Sequence, residues 1–383
     1  MRVLVWQWGR LGAGPRFAAC LAEALRGRPG IEVTLSLCRA AEVMTAPNPP
    51  RCEMPVRTYR GLVSFLLRLA TAPFALPFLL RKLRRVMPDL AICAMPGPLD
   101  LLMAAALRLL GTRLVVVVHE ADAHPGDGFP MQLTLQRLLC RHASGLAALS
   151  AHVGTRLRRQ GLAGIPRRPL IPFAHPPLAF EMPKTERAPG PPRLLCFGRL
   201  LPYKGLDLLA GALASLPSET EIAVRVVGSG PESPALDALR ACRGVTVENR
   251  WVPETEIGAL LAWSDGLILP YREASQSGVA AAAIAAGRPV IATRVGGLRE
   301  QLSAAPQAVL CEPNPDSLAR AIGLWLDSPI QIIPRVDAAE AWRQAVSDLL
   351  LAIASALPAN VAPLPGETPP GLLAWGPRRP FHE

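Results

Sequence analysis

Two series of short apolar runs constrain this 383-residue sequence more than anything else in it. RVLVW, IEVTLSL, DLAIC, RLVVVV, GLAAL and PLIPF recur through the first half. RLLCFG, EIAVRVVG, VTVEN, GLILP, PVIAT and AVLCE recur through the second. Runs that are apolar at successive positions bury both of their faces, as parallel strands do. Parallel neighbours need long crossovers, which here are helical, near 14–27, 98–110, 130–142 and 151–160 in the first half. The pattern predicts an α/β chain of two doubly wound, Rossmann-like domains, and the length agrees with two. We place the first domain at 1–180 and a Pro-rich polar linker, EMPKTERAPGPP, at 181–192. The second domain follows at 193–330, then a helical segment at 331–356 and a Pro-rich tail without a packing pattern at 357–383. No internal sequence repeat is evident.

Half the residues are hydrophobic, which supplies two cores and excludes global disorder. The net charge of +11 points to anionic partners. Much of it lies in one apolar region, at Arg51, Arg57, Arg60, Arg68, Arg81, Lys82, Arg84 and Arg85 against Glu53 alone. A nucleic-acid surface would interleave such charges with aromatic residues, and aromatics are only 5%. Within this region LVSFLLRLATAPFALPFLL, 62–80, is long enough to span a membrane. Arg68, Pro73 and Pro77 argue against a span and for two short amphipathic helices. Two readings fit them: packing on the first domain with the arginines in water, or peripheral membrane contact through 57–86, with Phe65, Leu66, Phe74 and Phe78 in the acyl boundary. The eight cysteines are scattered singly with no zinc spacing, and MRVLVWQWGRLGAG reads as a first strand rather than a signal peptide. We therefore expect a reduced, cytoplasmic compartment.

Ligands of open α/β sheets sit beyond the carboxyl ends of the strands, so the residues there are the candidates. The first strand runs into Gly9, Gly12 and Gly14, a loop a ligand can approach closely, although its spacing is not that of a dinucleotide site. RLVVVV runs into HEADAHPGD, where His119, Glu120, Asp122, His124 and Asp127 crowd one loop. Such a loop can contact a sugar, act in acid–base chemistry, bind a metal or only satisfy its own backbone; metal is the weakest of these. His142, His152 and His175 read as surface or structural. In the second half CFGRLLPYKG places Arg199 after a strand and Lys204 at the mouth of a helix. Lysine occurs only at 82, 184 and 204 among 41 Lys and Arg residues, and a compact ammonium suits a phosphate. VVGSGPE follows with Gly228. Then Gln276, Ser277, Gly278 and Val279 stand where a loop becomes a helix, whose N–H groups can receive phosphate oxygens.

Taken in order, GRLLPYKGLDLL, VVGSGPE and ASQSGVAAAAIAAGRPVIATRVGGLRE resemble the nucleotide-sugar-binding domain of GT-B glycosyltransferases, specifically the retaining group called family 4. The likeness covers about 193–330. The first half matches more loosely, through the glycine loop and His119, and HEADAHPGD is similar to a loop of members assigned to exopolysaccharide assembly. The helix around Ala341 and Trp342 is similar to one that crosses back to the first domain.

The resemblance implies a GT-B fold whose two domains face across a cleft. It implies transfer from a UDP- or GDP-sugar to a glycan or polyisoprenyl-linked acceptor, with no cofactor, no metal and no nucleic acid. Arg199 and Lys204 would neutralise the diphosphate, with His119 near the donor sugar. Gly12, Gly14, Gln276, Ser277, Gly278 and Val279 would hold phosphate or sugar. Gly228, Arg250, Trp251 and Val252 would border the nucleoside. One departure stands out. Two glutamates eight positions apart, usual in the family, fall on Ser275 and Ala283 when Gly278 is the fixed point. Three rivals follow: a nucleotide-sugar epimerase on the same fold, a non-catalytic nucleotide-sugar binder, and a basic nucleic-acid binder.

Overall fold

The computed structural model describes residues 1–122, 131–184, 187–303, 305, 308–327 and 334–357. His124, Asp127 and the tail beyond Leu357 lie outside the described residues.

The first sheet holds β1 (Arg2–Gln7), β2 (Glu32–Leu37), β3 (Leu90–Cys93), β4 (Arg113–Val118), β5 (Gly145–Ala148) and β6 (Leu170–Pro172), in the order β2-β1-β3-β4-β5-β6. All neighbours are parallel, with Val5 opposite both Leu35 and Ile92. Helices α1 (Ala13–Arg26), α2 (Leu62–Val86), α3 (Asp100–Leu109), α4 (Gln132–His142) and α5 (Ala151–Arg159) make the crossovers. The second sheet holds β7 (Arg193–Phe197), β8 (Ala223–Gly228), β9 (Val245–Asn249), β10 (Gly266–Leu269), β11 (Val290–Thr293) and β12 (Ala308–Cys311), in the order β12-β11-β10-β7-β8-β9. It is also parallel, and carries α6 (Leu206–Ala214), α7 (Pro234–Ala241), α8 (Glu254–Trp263), α9 (Gly278–Ala285), α10 (Gly296–Ser303) and α11 (Pro315–Asp327). The final helix, α12 (Ala338–Ala356), returns to the first domain.

Strand alternation explains the layers. Val3 and Val5 pack with Phe17, Leu21 and Leu25 of α1, whereas Leu4 and Trp6 pack with Met103 and Leu107 of α3 on the other face. In the second domain Leu194 and Cys196 face Leu209 and Ile322, while Leu195 and Phe197 face Leu260 and Ala283. Trp342, Val346, Leu349 and Ile353 of α12 join the α1 side of the first core, and Trp342 Nε1 donates to the Pro177 carbonyl at 2.8 Å.

Each sheet reverses its strand order at one point, between β1 and β3 in the first and between β7 and β10 in the second. The chain leaves β1 through the glycine loop and leaves β7 through Gly198 and Arg199. Both crevices therefore open where the two domains meet.

The expectation of two short helices in 62–80 is corrected: α2 is one helix of 25 residues with Pro73 and Pro77 inside it. The prolines remove the bonds to the carbonyls of Leu69 and Pro73. Only Leu79 and Leu83 of α2 are buried, so water reaches the rest of the helix and the lost bonds are tolerated. Ser64 supports its start by accepting from the Arg60 and Gly61 N–H groups at 2.9 and 3.1 Å. Leu62, Val63, Leu66, Leu67, Leu69, Phe74 and Phe78 remain exposed.

One backbone position gives a test of the second domain. Gly205 adopts φ +64°, and a Cβ there would lie 1.9 Å from the Pro270 carbonyl oxygen. Gly30 has a similar φ of +75° but faces open space. Gly30→Ala should cost only the left-handed strain of about 1–2 kcal/mol, and Gly205→Ala clearly more, because backbone must also move. Urea unfolding of the two variants measures the difference.

Candidate active site in the interdomain cleft

A cavity of about 500 Å³ lies where the two crevices meet, a size that suits a small-molecule ligand. It is lined from the first domain by Gly12, Gly14, Arg16, Glu42, His119 and Glu120, and from the second by Arg199, Lys204, Gly228, Gln276, Gly278 and Val279 among others. Polar contacts across the domains fix its shape. Ser150 Oγ donates to the Ser275 carbonyl at 2.8 Å. The Glu300 carboxylate accepts from the Ala151 and His152 N–H groups at 2.7 and 2.8 Å, and so caps the positive end of α5. Arg16 Nε donates to Glu254 Oε1 at 2.5 Å while its guanidinium stacks over Phe180.

The second-domain wall is cationic. Lys204 Nζ lies 3.7 Å from the centroid of the Tyr271 ring and 5.0 Å from that of Tyr203, so two of the chain's three tyrosines cradle one of its three lysines. This contact holds the ammonium at the cavity wall through the ring faces. The ring of Tyr271 is set by its place in the core, and burial pushes its hydroxyl pKa well up, so it stays neutral. Arg199 reaches across the cleft to Glu120, with Nη2 and Oε1 3.8 Å apart. The N-terminus of α9 opens beside them. Ser277 caps it, its hydroxyl accepting from the Ala280 N–H, and Gln301 holds the Ser277 backbone at both N–H and carbonyl, at 2.9 and 3.0 Å. Ser277 is thereby committed to the fold. Among the described residues the N–H groups of Gly278 and Val279 have no partner. A negative charge placed there meets the helix end and two side-chain cations together.

From the first domain the glycine loop closes the opposite wall. Gly12 has φ +82° and its Cβ position is open. A Cβ on Gly14 would meet Gln7 Nε2 at 2.9 Å and Met95 Sδ at 3.0 Å, so a side chain there would displace the Gln7 and Met95 side chains. Ala13 approaches Gly278, whose Cβ position is 3.7 Å from the Ala13 Cβ.

His119 ends β4 and is nearly sealed, at 5% exposure. Its Nε2 lies 2.8 Å from the Ala94 carbonyl, and its Nδ1 3.3 Å from Gln276 Nε2. Burial, helped by His175 with its ring 6.2 Å away, lowers the His119 pKa to about 3. The imidazole is neutral and serves as a hydrogen-bonding group. His175 itself is lowered to about 4, chiefly by burial, and packs on Phe17. Asp122 pairs with Arg156 at 2.6 Å, away from the cavity wall. Among the described residues no group of three His, Cys, Asp or Glu is placed to hold a metal.

At the far end Gly228, Trp251 and Val252 line the cavity as expected, with Glu42, Glu254 and Ile257. A Cβ on Gly228 would fall 1.6 Å from the Gly198 carbonyl oxygen, so two strand ends touch there. Arg250 departs from expectation. Its guanidinium is held by Glu248 and Glu256, and it does not reach the wall. The two positions assigned to missing glutamates also shift. Ser275 and Ala283 face the domain contact and the core, and the residues eight apart that line the cavity are Ala274 and Ala282. The lining residues are thus offset by one from the assumed register, and neither register places an acid at these two positions.

Sequence reading missed Arg16, Glu42, Glu254, Tyr203 and Tyr271. Arg16 carried a usable signal, standing in the first turn of the helix that follows the glycine loop. Glu42 carried none, because it comes from an irregular connection.

Two family models match the chain: "Glycosyl transferase 4-like domain" at residues 12–173 and "Glycosyl transferases group 1" at 191–328. The 2-deoxystreptamine glucosyltransferase of Streptomyces kanamyceticus is 29% identical over 287 residues, 68% of this chain and 74% of that protein. The glycogen synthase of Mycobacterium tuberculosis is 32% identical over 245 residues, 59% of this chain and 57% of that protein. In fold the chain is similar to the sucrose-phosphate synthase of Thermosynechococcus elongatus, with TM-score 0.62 and 18% identity over 93% of this chain and 97% of that one. The two glycosyltransferase family matches fall one on each sheet, with the cleft between them, and the chain as a whole has the GT-B fold.

Proposed function

We propose that the chain transfers a sugar, with retained configuration and without a metal ion, from a UDP- or GDP-sugar to a glycan on a polyisoprenyl-type lipid. The setting is the cytoplasmic face of a membrane, in the assembly of a cell-surface polysaccharide such as an exopolysaccharide. The observation that carries this reading is the wall formed by Lys204, Arg199 and the open N–H groups of α9, facing the glycine loop across one cavity. The reaction breaks the bond from the anomeric carbon to the phosphate oxygen and forms one to the acceptor hydroxyl. Negative charge grows on the leaving diphosphate, and the cationic wall stabilises it. The acceptor's proton passes to that departing oxygen on the same face, so retention needs no protein nucleophile. Closure of the two domains keeps water from the donor. Supporting the membrane setting, α2 exposes its apolar residues beside Arg68, Arg81, Arg84 and Arg85. Ala274 and Ala282 favour one second reading, a nucleotide-sugar binder without turnover, which binds donor yet makes no product with any acceptor.

Three outcomes are expected. In calorimetry with chelator present, Lys204→Ala should weaken binding of the preferred nucleotide by roughly tenfold or more, the loss of one charge-assisted contact. Binding that is unchanged in this variant removes Lys204 from the donor site.

The pH profile of transfer should show no ionisation of His119 near its ordinary pKa of about 6.5, because burial holds the folded value to about 3. The same shift links to stability. The unfolded chain takes up a proton below about 6.5 that the folded chain refuses, so stability present at neutral pH is lost as pH falls. A histidine limb near 6.5 that disappears in His119→Gln contradicts this.

Sedimentation with anionic vesicles should carry the protein down at low salt and less at high salt. Phe74→Ser with Phe78→Ser should reduce it several-fold without loss of folding, since both rings are exposed.

A further inference from the structure

Gln276 lies on the cavity wall two residues before α9, and its amide is caught between the domains. Its orientation is dictated from the first domain. The Ala94 carbonyl can only accept, so the His119 proton resides on Nε2 and Nδ1 presents a lone pair. Gln276 must therefore turn its NH₂ toward His119, at 3.3 Å. Its Oε1 is left over, enclosed, and meets no donor among the described residues. Such an acceptor costs free energy until a donor arrives.

The tautomer is itself anchored. Ala94 N–H donates to the Trp6 carbonyl at 3.0 Å. The loop after it is tied by Asp100, whose carboxylate accepts from the Gly97 N–H at 2.7 Å, Trp6 Nε1 at 3.1 Å and Cys93 Sγ at 3.3 Å. A core network of one domain thus decides which end of a second-domain amide is available.

We propose that Gln276 Oε1 accepts a hydrogen bond from a hydroxyl of the transferred sugar, so that Gln276 recognises the sugar rather than the nucleotide. The proposal rests on the donor-site reading above. A diphosphate at the α9 N-terminus puts the group attached to it next to the residues that precede the helix, and Gln276 is one of them. Its neighbours on the wall offer no substitute. Ala274, Gly278, Val279 and Ala282 have no polar side-chain atom, and Ser277 is committed to its cap and to Gln301. Gln276 lines the cavity at the contact between the domains, so a slight opening there brings Oε1 to the cavity with the amide orientation kept. Gln276 is a specificity-determining residue in this scheme, with His119 its positioning partner.

The test compares affinities of the full chain for UDP and UDP-glucose, and for GDP and GDP-mannose, by calorimetry. In the wild type the hexose should add affinity to the nucleotide in one of the pairs. Gln276→Met, of similar length but without an acceptor, should lose about tenfold of that increment while the nucleotide alone still binds. Gln276→Glu keeps an acceptor and should retain the increment, with both ligands weakened alike by the added negative charge. Nitrogen NMR of His119 supplies a readout that a merely structural role would not move. The wild type should show the neutral tautomer protonated on Nε2, and Gln276→Glu should draw a proton onto Nδ1. A hexose increment that survives in Gln276→Met overturns the proposal and leaves the donor site standing. Failure of every nucleotide to bind the wild type overturns the donor site, and this proposal with it.

Discussion

The geometry of the cleft depends on how two parallel sheets are held with their carboxyl ends toward each other. Among the described residues, several of the polar contacts that do this are charge-assisted. Glu300 closes the positive end of α5, and Arg16 ties the first turn of α1 to Glu254 at the start of α8. Each joins an anion or cation to a partner whose own domain already positions it. The second of these is part of the cavity itself: Arg16 and Glu254 both line it. The contact that joins the domains therefore also shapes the ligand wall. A rotation about it would change both together, which is how a ligand can be coupled to closure.

Within that frame, charge is distributed unevenly around the cavity. The first-domain wall brings glycines, a neutral histidine and Glu120; the second brings Lys204, Arg199 and the end of α9. Lys204 lies against two ring faces, at 3.7 Å from the Tyr271 centroid and 5.0 Å from that of Tyr203. Arg250, in contrast, is clasped by two carboxylates and spends its charge on the surface of its own domain. Both are basic residues near strand ends. One lines the cavity and the other does not, and the difference lies in what faces each of them.

Much of the architecture was legible from the sequence. Every apolar run named as a strand is a strand, because a segment buried on both faces leaves a continuous signature. The glycine loop, Lys204 and the entry to α9 were legible as cavity-lining positions, because they stand at the carboxyl ends of strands where the crevices open. The helix α2 was misread as two pieces, since the proline rule assumes that a lost hydrogen bond must be replaced within the protein, and on an exposed helix water replaces it. The assignment of Ser275 and Ala283 failed for another reason. One residue of offset in a turn rotates a helix by about 100°, enough that Ala282 borders the cavity and Ala283 does not, although both are buried.

Sequence alone determined the two doubly wound domains, their order, and the glycine-rich and helix-entry loops at the strand ends, because these follow from periodicity and from backbone constraints that act over a few residues. Only the tertiary structure decided what those loops face. That His119 is neutral, that its free lone pair holds Gln276, and that Arg16 meets Glu254 across 238 positions of chain are consequences of burial and of contacts between domains. Such contacts leave no period in a sequence, since the partners are set by the path of the whole chain and not by their neighbours in it.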